Sequence, residues 1–338
     1  MEYGPRLTIL DVGHGNSAVL QTTSSVVVID AGNRNTLLEF LRQQQINRVN
    51  LVLISHADQD HIEGLLAILS SGVFEIGQVR LNSDSMKGTA IWDDLLYELN
   101  NLHQEGTLYF EPLLTSDPDG IFNEGTIRLE VLAPSRYLVG KGAGSTDRAG
   151  RRLSTNSISA VIRLMHNGDP VALLPGDIDQ IGLDHLVNSH EDGSAPVLVF
   201  PHHGGRSGDM DTATFAYQLC ELVRPDIVIF SIGRNKFTNP QPEVVKGVQR
   251  SRNGVWIACT QLSKQCAADV THTNPAHLAE AFADGKQGQK CCVGSFVINL
   301  NPSRSTMLPI HDAHQQFISR CAPTALCRRA RIDDSLLG

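Results

Sequence analysis

The segment His56-Ala-Asp-Gln-Asp-His61 places two imidazoles and two carboxylates within six residues. Four such side chains meeting in one turn repel each other unless a cation holds them, and divalent metals take N and O ligands of this kind. A polar loop that merely happens to hold two His and two Asp is the alternative, and such tight spacing argues against it. The apolar run 49–54 precedes the cluster and reads as a buried strand. Residues 62–69 follow with helical spacing. The candidate centre therefore sits where a strand ends and a helix begins. Further on, Leu173-Leu-Pro-Gly-Asp177 and Pro201-His-His-Gly204 put another carboxylate and two more imidazoles after apolar runs.

The elements that must position these groups are legible as a pattern. Short apolar runs of strand character recur at 7–11, 16–20, 26–30, 49–54, 126–132, 158–164, 171–174, 196–200, 226–232, 255–259 and 294–300. Helical periodicity appears at 35–44, 61–70, 90–103, 179–189, 211–222 and 242–252. Hairpin-like strands come first, then strands alternate with helices, which suits an α/β sandwich of two mixed sheets flanked by helices. Chemistry in such folds collects on loops at strand ends.

The motif series resembles the metallo-β-lactamase superfamily, and within it the hydrolase domain of the competence protein ComEC and its soluble relatives. The pieces come in the family's order over about residues 6–260. Asp11-Val-Gly-His-Gly-Asn-Ser17 is similar to the opening strand and turn, and Val26-Val-Val-Ile-Asp-Ala-Gly32 to the strand ending in a supporting Asp. The 56–61 cluster matches the main metal motif, Asn156-Ser-Ile-Ser159 the Asn-x-x-Ser segment, Asp177 the bridging carboxylate and 201–204 the last His. Ser231-Ile-Gly-Arg-Asn-Lys-Phe-Thr-Asn-Pro240 resembles the closing loop. The implied fold is the αββα sandwich.

By this resemblance His56 and Asp58 hold a first metal site, Asp60, His61 and His203 a second, and Asp177 bridges them. Asp58 stands where lactamases carry His, and Thr155-Asn156-Ser157 stands where a third His is expected. Asn156 then serves as a weak oxygen ligand or supports the site from behind, and Asp30 orients a metal-bound His. One or two divalent cations are implied, Zn or Mn, with the oxygen-rich donors leaning away from Zn. A metal pair ~3.5–4 Å apart lowers the pKa of water and supplies a nucleophile near neutral pH. Asp60, Asp177 and His202 are the expected catalytic groups, with His202 protonating the leaving oxygen unless it exchanges the ligand role with His203. His14, in a Gly-flanked turn, reads as structural.

The resemblance points to a phosphodiesterase or nuclease. An acyl hydrolase of lactonase or β-lactamase type is the alternative, and a metal-binding interaction module with little turnover is a third reading. The segment 136–152 carries Arg136, Lys141, Arg148, Arg151 and Arg152 just before Asn156. It is either a solvated loop or an overhang in which Arg148, Arg151 and Arg152 grip phosphates. Arg234, Asn235 and Asn239 of the closing loop are further substrate-binding candidates. Relatives usually carry His before that loop's Pro, and Asn239 cannot carry a proton there.

With 338 residues, 41% hydrophobic and 19% charged, the chain has the balance of an ordinary globular protein with room for a large core. The expected division is a hydrolase domain over 1–302, with a Cys- and His-containing insert at about 259–292, and a C-terminal tail over 303–338. Cys259, Cys266, Cys291 and Cys292, with His272 and His277 between them, read either as a structural zinc knuckle or as buried free thiols. The seven Cys are an odd number, which leaves at least one unpaired and fits a reducing cytoplasm. No stretch approaches the ~18 apolar residues of a membrane span, and the first residues show no leader pattern. A formal charge of −8 argues against non-specific binding to long nucleic acid but leaves a phosphodiester substrate open. The basic tail offers a docking segment for the core or for a protein partner.

Overall fold

In the computed structural model, which describes residues 4–33, 35–208, 211–234, 236–269, 274–300 and 307–328, two seven-stranded sheets face each other. The first sheet holds β1 (Arg6–Ile9), β2 (Ser17–Gln21), β3 (Val26–Ala31), β4 (Arg48–Leu53), β5 (Glu75–Arg80) and β6 (Tyr109–Glu111). The second holds β7 (Asp117–Glu124), β8 (Ile127–Ala133), β9 (Val161–His166), β10 (Asp169–Leu174), β11 (Val197–Val199), β12 (Ile227–Phe230) and β13 (Trp256–Cys259). Late in the chain, β14 (Phe296–Asn299) returns to pair antiparallel with β1. Helices α1 (Thr36–Gln43), α2 (Gln59–Ser71) and α3 (Ala90–Gln104) cover the first sheet. After the short α4 (Arg136–Lys141), helices α5 (Gln180–Asn188), α6 (Thr212–Val223), α7 (Pro242–Ser251) and α8 (Met307–Cys321) cover the second. This is the αββα sandwich.

Strand alternation builds the layers. In β3 and β4, Val27, Ile29, Leu51 and Leu53 point between the sheets, while Val28 and Val52 meet Phe40, Ile62 and Leu65 of the helix layer. In the second sheet Val197, Val199, Ile227 and Ile229 point inward, and Leu198, Val228 and Phe230 face α5, α6 and α7. Both faces are buried, which is why these strands read as continuous apolar runs. β5 and β6 escaped that reading because they approach the sheet edge and bury only alternate or partial positions.

The two sheets share one plan. Each runs through antiparallel pairings (β14-β1-β2-β3 and β7-β8-β9-β10) and finishes with parallel ones (β3-β4-β5-β6 and β10-β11-β12-β13). The loops leaving the C-terminal ends of β4, β10 and β11 carry the His and Asp motifs and meet at one edge of the sandwich. Part of the 303–338 tail docks on the core: Phe317, Ile318, Ala322 and Ala325 are buried in the outer layer of the second sheet. Trp256 Nε1 donates to His314 Nδ1 at 3.1 Å. Among the described residues no helix is long and apolar enough to cross a membrane.

Candidate metal centre

The centre is assembled around the first turn of α2, which carries Asp60 and His61. Asp58 occupies the N-cap position, yet its side chain makes no capping bond. An Asp cap is typically worth ~1 kcal/mol, and that stabilisation is set aside here. The Asp58 carboxylate turns instead to His56 Nε2, 3.6 Å away, and to the ammonium of Lys87. The opening turn 13–16 lies directly against α2. A Cβ on Gly15 or Gly32 would stand 2.5 or 2.2 Å from the Asp60 carbonyl oxygen, so only glycine permits this approach. Asn16 N donates to that same carbonyl at 3.1 Å. The approach brings His14 Nε2 to 3.1 Å from Asp60 Oδ2.

Two groups of three donors result, His14–Asp60–His203 and His56–His61–Asp177, with the donor atoms of each group all within 4.8 Å of one another. Asp177 spans them, its Oδ1 lying 3.6 Å from His61 Nε2 and its Oδ2 3.8 Å from His203 Nε2. Each buried imidazole is held from behind through Nδ1. His61 Nδ1 donates to Asp30 Oδ2 (2.8 Å) and His203 Nδ1 to the Ser231 carbonyl (2.9 Å), while His56 Nδ1 meets Ser55 Oγ (2.9 Å). Ser55 is itself fixed, donating to Asp30 from both N (2.7 Å) and Oγ (2.9 Å). The front atoms, Nε2 of His56, His61 and His203, are buried and have no hydrogen-bond partner. Bare buried polar atoms are costly and rare. Imidazoles tethered through one nitrogen and bare at the other have the arrangement of metal ligands, so these residues fit a divalent cation.

Burial pushes the Asp60 carboxyl up, but the neighbouring imidazoles of His14, His203 and His61 hold it well below the usual carboxylate range. Asp177 is likewise held low against its burial by the charges of His203, His61 and His202. Burial keeps His14 and His202 below the ordinary imidazole value. His61 goes the other way: although burial disfavours its charge, Asp30 and Asp177 push it well above the ordinary imidazole value, so a cation binding there displaces its proton.

Three of the centre's residues carry backbone strain. His202 (φ 52, ψ 24) and His203 (φ 53, ψ 28) are consecutive left-handed residues, and Asp30 (φ 57) is a third. Each such non-glycine residue costs about 1–3 kcal/mol and persists only where its surroundings fix it. The fixing groups are visible: His202 N donates to Asp177 Oδ1 at 2.8 Å, and Asn239 Nδ2 to the His202 carbonyl at 3.4 Å.

Several candidates find other partners. His202 Nε2 lies on the Ile178 carbonyl (3.1 Å) and its Nδ1 faces Asp177 Oδ2 (3.6 Å), so its ring is enclosed rather than presented to a leaving group. Asn239 supports the His202–His203 turn. Arg234 is corrected from phosphate binding to scaffolding, because its guanidinium is spent on the carbonyls of Leu262, Ala267 and Ala268. Arg151 is paired with Asp147 and Asp184. Arg148 lies over the Tyr137 ring and Arg152 is exposed. The segment around them rests on a small core of Leu138, Leu153 and Ile158. Asn156 Oδ1 is buried without a partner. Asn235 and His272 lie outside the described residues.

The proposed zinc quartet does not converge, because adjacent thiols point opposite ways: Cys291 Sγ toward Asp11 Oδ2 (3.7 Å) and Cys292 Sγ toward His314 Nε2 (3.2 Å). Among the described residues no donor group within metal-binding reach contains a Cys. Sequence reasoning missed Lys87, which no pattern marks, and set His14 aside as structural. A cleft of about 340 Å³ opens beside the centre, lined by His14, Asp60, Lys236, Gln261, Asp284 and Lys290 among others.

Residues 10–134 match the family model described as Metallo-beta-lactamase superfamily. Together with the sandwich, this match supports that superfamily as the chain's class, and with the donor groups it supports a metal-dependent hydrolase. Among solved structures, the chain is similar to Igni18, a metallo hydrolase from the archaeon Ignicoccus hospitalis, at 14% identity over 75% of this chain and 94% of that one (TM-score 0.44). It is also similar to the metallo-beta-lactamase fold protein YhfI from Bacillus subtilis, at 10% identity over 75% and 96% (TM-score 0.44). A third is the short form of human tRNase Z, at 14% identity over 66% and 91% (TM-score 0.39). No curated protein matches the sequence.

Proposed function

We propose that this chain is a metal-dependent phosphodiesterase of the ComEC-like kind. The observation that carries the reading is the convergence of three bare, buried Nε2 atoms on Asp60 and Asp177. On this reading His14, Asp60 and His203 hold one cation, His56, His61 and Asp177 hold another, and Asp177 lies between them. Bound there, divalent cations supply Lewis acidity and a water of lowered pKa. The protein's own part is to keep the carboxylates anionic, hold the imidazoles from behind, and shape the cleft. Two features favour a phosphodiester over an acyl bond. The third His of lactamases is replaced by the Thr155–Asn156 segment. Lys236 and Lys290 line the cleft beside Asp60, and cationic groups there favour an anionic substrate. The seven thiols are all unpaired, which supports a reducing compartment.

The test is turnover of bis-p-nitrophenyl phosphate, nitrocefin and a simple lactone by protein loaded with Mn, Zn or Mg. Mn-stimulated cleavage of the phosphodiester, without cleavage of the other two, is the expected result. Nitrocefin or lactone turnover without phosphodiester cleavage overturns the assignment.

A further inference from the structure

Lys87 stands in a position built for it. Asp84, only 3% exposed, accepts from Met86 N (2.9 Å) through Oδ1 and from the Thr155 hydroxyl through Oδ2. Its carbonyl accepts from Trp92 Nε1 at 3.1 Å and from Lys87 N at 3.3 Å. The turn 84–87 is thereby pinned to the segment that precedes Asn156, where the resemblance calls for a third metal-binding His. That segment holds, in place of a ligand, the turn that presents an ammonium. The Lys87 side chain is 23% exposed, and its Nζ sits on Asp58, whose other oxygen faces His56 Nε2. Asp58 has given up capping α2 to make this pairing, and it belongs to neither of the two donor groups.

We propose that Lys87 is a substrate-contacting residue. Its ammonium binds a non-bridging phosphoryl oxygen on the His56 side of the centre, and Asp58 is its anchor rather than a metal ligand. The proposal rests on the phosphodiesterase reading. A lysine ammonium is a compact point charge on a flexible stem, able to turn from a carboxylate to an arriving oxyanion without backbone movement. Charge-assisted hydrogen bonds to such oxygens are about twice as strong as neutral ones. No bond to Lys87 is made or broken, and its proton stays on Nζ.

The experiment compares Mn-loaded wild type, Lys87→Met and Lys87→Arg by elemental analysis, calorimetric titration with inorganic phosphate, and kinetics on bis-p-nitrophenyl phosphate. All three hold the same Mn. Lys87→Met binds phosphate ~10-fold or more weakly and loses ~10²-fold in kcat/KM, the loss typical of one oxyanion donor. Lys87→Arg recovers most of the phosphate affinity. If Lys87→Met binds phosphate and turns over like wild type, the lysine assignment falls and the phosphodiesterase reading stands. Loss of Mn from Lys87→Met also overturns it, by making the lysine a prop for the metal donors. A wild type that holds Mn but cleaves no phosphodiester overturns the reading and the lysine role together.

Discussion

Two groups of ligand-type side chains look alike on paper and part company in space. The His/Asp set comes from the turns at 14, 56–61, 177 and 203, and its donor atoms lie within 4.8 Å of one another in each of two groups. Cys259, Cys266 and Cys292 are packed among Leu262, Phe317 and Ile318 in an apolar layer. Burial pushes these thiols up, so they stay protonated and behave as small apolar side chains. The difference lies less in residue type than in what stands behind each donor. Every buried imidazole of the first group is tethered through Nδ1 to a Ser hydroxyl, an Asp or a carbonyl, whereas among the described residues the sulfurs form no donor group within metal-binding reach.

The contrast is broken most directly by removing donors. Asp60→Ala with His61→Ala strips one member from each donor group, and elemental analysis should find the divalent metal lost; retained metal moves the site elsewhere, to the thiols first. Asp177→Ala removes the carboxylate between the groups, and steady-state kinetics should show kcat reduced ~10²-fold or more with the fold intact by circular dichroism. Near-normal turnover would reduce Asp177 to a loop residue. Asp30→Asn leaves every donor in place but weakens the support of His61 and Ser55, so metal affinity should fall ~10–100-fold in competition with a chelator. In the other group, Cys259→Ala and Cys292→Ala should each lower stability by about 1–2 kcal/mol in urea melts and leave metal content unchanged. A lost metal in either variant would put the thiols back among the ligands.

The smallest effect concerns Asp11, behind the His14 turn. It accepts from Gly13 N, Gly285 N and Gln261 Nε2, and burial pushes its carboxyl up from 3.8 to about 6. A raised folded pKa means that its contribution is fully present below 3.8 and is lost as pH rises through about 6. Asp11→Asn should therefore flatten the pH dependence of the melting temperature of chelator-treated protein between these values. An unchanged slope in that window would show that Asp11 titrates normally.

Most of the strands and the 56–61 cluster were legible because local apolar periodicity and tight spacing are properties of short stretches. Asp177 and 201–204 were legible because each motif directly follows a buried strand. What the sequence concealed depends on distant contacts. His14 reaches Asp60 only because Gly15 and Gly32 let two loops touch. Lys87 meets Asp58 through a turn pinned by Asp84, Trp92 and Thr155. Arg234 looked like a phosphate ligand by residue type, and three carbonyls from 262–268 claim it instead. Composition alone does not reveal which cation is already spent.

The shared plan of the two sheets gives the centre a mechanical role as well. Its donors are divided between the sheets: Asp60 and His61 follow a strand of the first, Asp177 and His203 follow strands of the second. A cation held by both is a removable clasp joining segments far apart in the chain, and it favours the folded form through its binding free energy. Metal occupancy then acts on the lifetime of the folded protein as well as on its chemistry. Amide exchange in β3, β4, β10 and β11 should slow together as metal concentration rises, by the mass-action term for a ligand that binds only the folded form.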